Sequence, residues 1–318
     1  MEFIADEEFQ HLSLASILKH SIAIIPKSSP KTFFFITLSF ILPLSLTFLG
    51  YAYLIYHLVD HWHLDPSSFA KSQYFKYTLI LFYQFLYLLF VFAFSLLSTS
   101  TSIFSVASIY TSNSTSFSST ISAIPSILPR LFCTFVWFSL LALVYNAVLY
   151  ICAPVILLVL SETRSIEFCI AVFFALFSSF LLVHVYLMSV WQLASVVSVL
   201  EPTYGLGAMK RSRVLLHGKM MYASVLVLGY MFMWAMISLA FAVVVVHGEE
   251  YEIGLWVRIL VGVVLVVVLV ALNLVGLIAQ NVFYFVCKSF HLESIDKSVL
   301  IGLLEGYVKV HVKVNSMA

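Results

Sequence analysis

The sequence predicts an all-α, polytopic integral membrane protein with six transmembrane helices, and three observations carry that reading. Six apolar runs, residues 33–56, 77–99, 131–158, 168–199, 220–246 and 259–286, contain none of the chain's 16 Lys and Arg or 15 Asp and Glu residues. Each reaches the length of about 20 residues that an α-helix needs to cross a hydrocarbon core about 30 Å thick. The runs also lack the alternation of a membrane β-barrel: Phe33-Phe-Phe-Ile and Val263-Val-Leu-Val-Val-Val-Leu-Val are apolar on every face. A helix is then the remaining way to satisfy the backbone in lipid. Finally, a chain of 318 residues that is 62% hydrophobic and 10% charged leaves little for a soluble domain. The expected organisation is one membrane domain at 33–286 between tails at 1–32 and 287–318.

The first tail mixes Glu7, Glu8, Lys19, Lys27 and Lys31 with an amphipathic segment. No cleavable signal peptide is expected, because the first apolar run is too long for an h-region and reads as an anchor. Lys and Arg fall on alternate connections. Twelve of them (Lys19, Lys27, Lys31, Arg130, Lys210, Arg211, Arg213, Lys219, Lys288, Lys297, Lys309 and Lys313) lie on one side, against Lys71, Lys76, Arg164 and Arg258 on the other. This bias predicts cytosolic termini. Asn113-Ser-Thr, a glycosylation sequon, then falls in a cytosolic connection and should stay unmodified.

The second to third connection is rich in Ser and Thr from Ser95 to Ser126, yet Ile103, Phe104, Val106, Ile109 and Phe117 recur through it. It is expected to extend a span, break at Ser112 and Asn113, and continue as an interfacial segment ended by Pro125 and Pro129. Ser105-Val-Ala-Ser-Ile-Tyr aligns with Ser195-Val-Val-Ser-Val-Leu, and Ser122 then meets Ser212. An internal repeat of interfacial helix plus helical hairpin follows, with a third copy at residues 14–31, where Ser21 matches Ser212; chance likeness between Ser-rich stretches is the alternative.

Residues 206–218 read as a short amphipathic helix. Ala208, Met209, Ser212, Leu215 and Leu216 share one face, and Lys210, Arg213 and His217 the other. Lys210, Arg211, Arg213 and Lys219 form a candidate lipid-facing basic set, with the bilayer and its anionic headgroups as partners. The same charges would also serve as a topological signal alone. Within the spans, Asn146, His184, Asn273 and Gln280 are candidates for a polar path, or else interhelical hydrogen-bonding groups. No span carries a charged residue of the kind that ion coupling requires. Ala171, Ala175 and Ser179 would admit a neighbouring helix closely.

His57, Asp60, His61, His63 and Asp65 cluster around Trp62, but a closed set of four metal ligands is not evident, and no metal or cofactor is expected. Cys133, Cys152, Cys169 and Cys287 lie in or beside spans and suit buried thiols, or palmitoylation at Cys133 and Cys287, rather than a disulfide framework. The nucleophile elbow, the H-E-x-x-H pair, C-x-x-C and the phosphate loop are all missing, which disfavours the commonest enzyme chemistries and leaves catalytic residues unassigned. Residues 293–307 suit a helix. The alternation Val308-Lys-Val-His-Val-Lys-Val suits an added strand or a frayed basic tail.

Val196-Val-Ser-Val-Leu-Glu-Pro-Thr-Tyr-Gly-Leu-Gly-Ala-Met-Lys-Arg-Ser, Ser116-Phe-Ser-Ser-Thr-Ile-Ser-Ala-Ile-Pro and Val282-Phe-Tyr-Phe-Val-Cys-Lys-Ser-Phe-His together resemble a family of uncharacterised plant multi-span membrane proteins, over nearly the whole chain. The element 201–218 also resembles cytosolic helices of bacterial membrane domains found beside glycerophosphodiester phosphodiesterases. Neither resemblance supplies an activity or catalytic residues. The expected function is non-enzymatic, in membrane organisation or as an assembly or trafficking partner in endomembranes or the plasma membrane. The alternative is a transporter or channel for a small uncharged solute. Nucleic acid is not an expected partner, since no aromatic RNA platform or folded basic domain is present.

Overall fold

A computed structural model describes residues 13–28, 30–63, 71–111, 116–161, 166–293 and 297–315. The expected break at Ser112 and Asn113, the sequon with it, Asp65 and the side chains of Asp60, His61, Trp62 and His63 lie outside the described residues. The elements are α1 (Leu14–Ser28), α2 (Pro30–Ile36), α3 (Leu42–His63), α4 (Lys71–Tyr110), α5 (Phe117–Ser161), α6 (Ile166–Leu200), α7 (Leu206–Leu216), α8 (Met220–Phe241), α9 (Leu255–Phe290) and α10 (Lys297–Asn315). Among the described residues there is no strand. Six helical stretches are long and apolar enough to cross a membrane: Pro30–Leu58, Tyr77–Tyr110, Phe117–Cys152, Glu167–Leu200, Met220–Val246 and Leu255–Phe290.

Two π-helical turns interrupt these spans. Thr37–Ile41 joins α2 to α3 directly before Pro43. Pro43 has no N–H to return to the preceding turn, and the chain widens there so that the Leu42 N–H donates to the Thr37 carbonyl. Ala242–Val246 ends α8, where the His247 N–H reaches the Ala242 carbonyl at 2.9 Å.

The helices exceed the predicted runs because the connecting segments are helical too. α5 runs through Pro125 and Pro129 without a break, correcting the expectation that these prolines end an interfacial segment. Both prolines are exposed, whereas Thr120, Ala123, Ile127 and Leu131 are buried on another face. The lost hydrogen bonds therefore fall on the outer side, where bending is least obstructed. The C-terminal alternation is likewise overridden. α10 continues through Val308 to Val314 as helix, in place of the added strand or the frayed tail.

The chain forms two compact units. One comprises residues 15–126, 229–282 and 297–318. Its core includes the Ser- and Thr-rich end of α4, where every residue from Ser98 to Thr111 is buried. The hydroxyls are satisfied locally: Ser100 Oγ donates to the Leu97 carbonyl at 3.0 Å and Thr101 Oγ1 to the same carbonyl at 2.8 Å. Short side chains that bond their own helix let neighbours approach on all sides, so this extension of the span is core. A second cluster joins Leu49, Ile237, Phe241, Val246 and Leu269. Beyond it, the Tyr56 hydroxyl donates to Glu250, and His247 Nδ1 lies 3.1 Å from the same carboxylate. These two contacts, Tyr56 first, hold the Glu250 carboxyl below its ordinary pKa.

The other unit comprises residues 1–14, 127–228 and 283–296. Its buried residues include Phe135, Val185, Leu193 and Val197, with α7 and the end of α9. Among the described residues from Val136 to His184, none is buried. There α5 and α6 meet as a hairpin, with the Tyr145 and Phe180 rings stacked at 4.9 Å and the Tyr145 hydroxyl donating to the Phe180 carbonyl at 2.9 Å. Ala171, Ala175 and Ser179 are exposed on that hairpin, which corrects the expectation of a closely packed neighbouring helix.

Candidate functional site

The most elaborate polar assembly surrounds α7. Two glycines with positive φ free this short helix from its neighbours. Gly205, at φ +62°, donates its N–H to Thr134 Oγ1 at 2.9 Å, and a Cβ there would lie 3.2 Å from Cys133 Sγ and 3.3 Å from the Trp137 ring. Gly218, at φ +83°, reverses the chain into α8, and a Cβ would come within 2.6 Å of the Phe290 ring. Only glycine combines that backbone with that proximity.

Between the glycines both predicted faces of α7 are found. Ala208, Met209, Ser212, Leu215 and Leu216 are buried, while Lys210, Arg213 and His217 are exposed. The small Ser212 allows α7 to lie directly on α6: its Oγ is 3.0 Å from the Val190 carbonyl and 2.9 Å from that of Met209.

Glu201, at the end of α6, is the centre of an ion cluster. Its Oε2 accepts from Arg211 Nε at 3.0 Å, and its Oε1 accepts from the Tyr284 hydroxyl at 2.9 Å, with Lys288 Nζ 3.8 Å away. Its backbone carbonyl accepts from Arg130, and Arg211 donates with its other arm to Glu293. Burial acts to lower the Arg211 pKa, but the hydrogen bonds and charges of Glu293 and Glu201 together outweigh it and leave the guanidinium pKa raised. His291 Nε2, 3.1 Å from the Leu215 carbonyl, ties the end of α7 to the segment after α9.

The four cations predicted to face lipid therefore divide. Arg211 stands between buried Leu215 and exposed Val214 on the wheel of α7, at the edge of its buried face, and is drawn inward to two carboxylates. Lys219 lies beyond the Gly218 turn, 8% exposed, with its ammonium 4.9 Å from the Tyr222 ring centre and 4.8 Å from that of Phe290. Lys210 and Arg213 remain on the outer face. Glu201, Tyr284 and Glu293 were missed as site residues. The available signal was the isolation of Glu201, a lone carboxylate at the end of an apolar run facing a segment with four cations.

The sequence-predicted polar path is split between the two units. Asn146 Nδ2 donates within α5 to the Ala142 carbonyl at 2.7 Å. His184 is half-buried, its ring 5.9 Å from that of Phe180 and 6.3 Å from that of Tyr145. In the other unit Asn273 accepts from the Tyr230 hydroxyl at 2.7 Å and donates to Ser45 Oγ at 3.0 Å, whereas Gln280 Nε2 is buried without a partner. Among the described residues no group of His, Cys, Asp and Glu is placed to hold a metal, and His57 packs against Tyr53 and Tyr56. Cys287 is fully buried, which suits an inert thiol and not a palmitoylation site; Cys133, Cys152 and Cys169 are likewise unbridged.

No curated protein and no solved structure matches the chain. Over residues 1–317 it matches the family described as Domain of unknown function (DUF8558), and it belongs to that family.

Proposed function

We propose that the protein is a non-enzymatic multi-pass component of the endomembrane system or plasma membrane that acts in membrane organisation or as an assembly partner, with α7 lying on the cytosolic surface against anionic headgroups. The observation that carries this reading is the division of α7. One face is locked to α6 and the Glu201 cluster, while Lys210, Arg213 and His217 point outward beside exposed Leu206 and Val214. A helix so fixed presents its cations without further ordering, and each contributes about 1 kcal/mol near an anionic surface.

The transport alternative gains nothing comparable. It needs amides free to handle a solute; Asn273 is committed to Tyr230 and Ser45 and Asn146 to its own helix, which supports a packing role, and Gln280 alone of the three amides keeps an unmet Nε2.

The gapless register read from the sequence carries buried Thr120, Ala123 and Ile127 onto exposed Lys210, Arg213 and His217, so an internal repeat is supported only in a shifted one. A shift of 89 residues carries the start of α5 at Phe117 onto that of α7 at Leu206, and buried Thr120, Ala123 and Ile127 onto buried Met209, Ser212 and Leu216. This register is one residue from the one that aligns Ser122 with Ser212. In α1, buried Ser21 donates to the Ile17 carbonyl at 2.7 Å, a counterpart of Ser212.

The lipid reading is tested by removing only the outward cations. In nanodiscs of mixed neutral and anionic phospholipid, native mass spectrometry should show the Lys210→Gln, Arg213→Gln variant losing most of its retained anionic lipid. Loss of about 2 kcal/mol corresponds to roughly thirtyfold. Equal retention by the variant and the parent would reduce the basic face to a signal for orientation.

A further inference from the structure

Of the cations around α7, Arg211 is held by Glu201 and Glu293, Arg130 by the Glu201 carbonyl, and Lys219 lies over two rings. Lys210, Arg213 and His217 stand apart. Each is exposed, and among the described residues none of the three makes a hydrogen bond or an ion pair. No Asp or Glu occurs between Glu201 and Glu249 to neutralise them.

Their spacing is that of a single site. Lys210 precedes Arg213 by three residues and His217 follows it by four, so both flank the guanidinium on one face. A guanidinium grips a phosphate with two parallel N–H bonds. The ammonium and an imidazole N–H then approach from either side. Three donors suit a phosphomonoester, with three terminal oxygens and more than one negative charge near neutral pH. A phosphodiester offers only two such oxygens and one charge.

The depth is set by two aliphatic neighbours. Leu206, 47% exposed, and Val214, 57% exposed, share with the three donors an arc of about 100° on the helix wheel. They leave water only where α7 is sunk to the boundary between headgroups and acyl chains. At that level lies the phosphate joined directly to glycerol. The monoester of a phosphoinositide stands a ring's width further out, and the carboxylate of phosphatidylserine also lies above it.

We propose that Lys210, Arg213 and His217 form a recognition site for a glycerolipid whose whole headgroup is a phosphomonoester, an inference that rests on the reading of α7 against anionic headgroups. Arg213 takes the phosphate in bidentate fashion, and Lys210 and His217 bind its remaining oxygens.

Full-length protein is placed in phosphatidylcholine nanodiscs carrying equal amounts of phosphatidic acid and phosphatidylethanol, the diester whose phosphate lies at the same depth. Native mass spectrometry counts the lipids retained. The parent should keep phosphatidic acid about tenfold over phosphatidylethanol, the equivalent of one hydrogen bond to a charged group. Arg213→Lys retains the charge without the fork, and His217→Leu removes one donor; each should bring the two lipids near parity. His217→Asn keeps a donor and should keep the preference. Parity in the parent, with both lipids held above phosphatidylcholine, would overturn the monoester site and leave the headgroup reading standing. Neither lipid held above phosphatidylcholine would remove both. A preference for a phosphoinositide with one phosphomonoester over phosphatidic acid would put the contact at the outer level and overturn the proposal. So would a preference for phosphatidic acid that neither Arg213→Lys nor His217→Leu reduces.

Discussion

Replacing Glu201 by Ala is expected to destabilise the protein by about 3 kcal/mol and to loosen α7 from its seat. The side chain is 12% exposed and receives Arg211 and Tyr284, with Lys288 close by. Removing one partner of a buried ion pair leaves the others uncompensated, at about 3 to 5 kcal/mol. Arg211 keeps Glu293 and is 28% exposed, which places the cost at the low end. Chemical unfolding in detergent measures the loss. Proteolysis between α7 and α8 should accelerate in parallel. Adding Arg211→Gln to Glu201→Ala should cost less than the two single changes summed, because the pair is one interaction. Strict additivity would mean that the two residues act separately and that the cluster does not hold α7.

Gly218→Ala is expected to cost a similar amount by another route. An alanine at φ +83° occupies a backbone region that costs about 1 to 3 kcal/mol outside glycine. Its Cβ also falls 2.6 Å from the Phe290 ring, which must then move. Displacing Phe290 weakens one of the two rings over Lys219. Together these amount to about 3 to 4 kcal/mol. Trimming Phe290 to Leu in the same chain should recover the steric part and leave the backbone part, which thermal unfolding of the four proteins resolves. A Gly218→Ala protein as stable as the parent would mean that the turn before α8 is held otherwise.

The spans were legible in the sequence because length and absence of charge decide them, and 33–56, 168–199 and 220–246 fall inside helical stretches of nearly those bounds. The face of α7 was legible for a similar reason: five small or apolar residues at helical spacing allow one buried side. The Ser- and Thr-rich end of α4 was read as a helical extension of the span, which it is, but its complete burial was not anticipated, because hydroxyls read as polar when counted yet disappear into the helix when they bond their own carbonyls. Pro125 and Pro129 were read as terminators by a rule that holds in water and weakens where their open side meets no neighbour. The alternation of Val and Lys in α10 is a local β signal that the preceding helix overrides. The Glu201 cluster was not legible. Its members come from positions 130, 201, 211, 284, 288 and 293, and no local pattern links them.

That same cluster ties the sequence to topology. Arg130 precedes the apolar core of the third span, Glu201 and Arg211 lie between the fourth and fifth, and Glu293 follows the sixth. Six alternating crossings would put all three segments on one side, the side their contacts require. The same six crossings would put Glu250, between the fifth and sixth stretches, on the opposite side. The decisive measurement is therefore sided labelling with a membrane-impermeant maleimide, using single cysteines at Lys210, Lys297 and Glu250 over the background of the parent protein. Six crossings with cytosolic termini predict that Lys210→Cys and Lys297→Cys react only when the cytosolic face is open to the reagent, and Glu250→Cys only from the opposite face. Reaction of Lys210→Cys and Glu250→Cys from the same side would contradict the six-span arrangement and, with it, the placement of α7 against cytosolic headgroups.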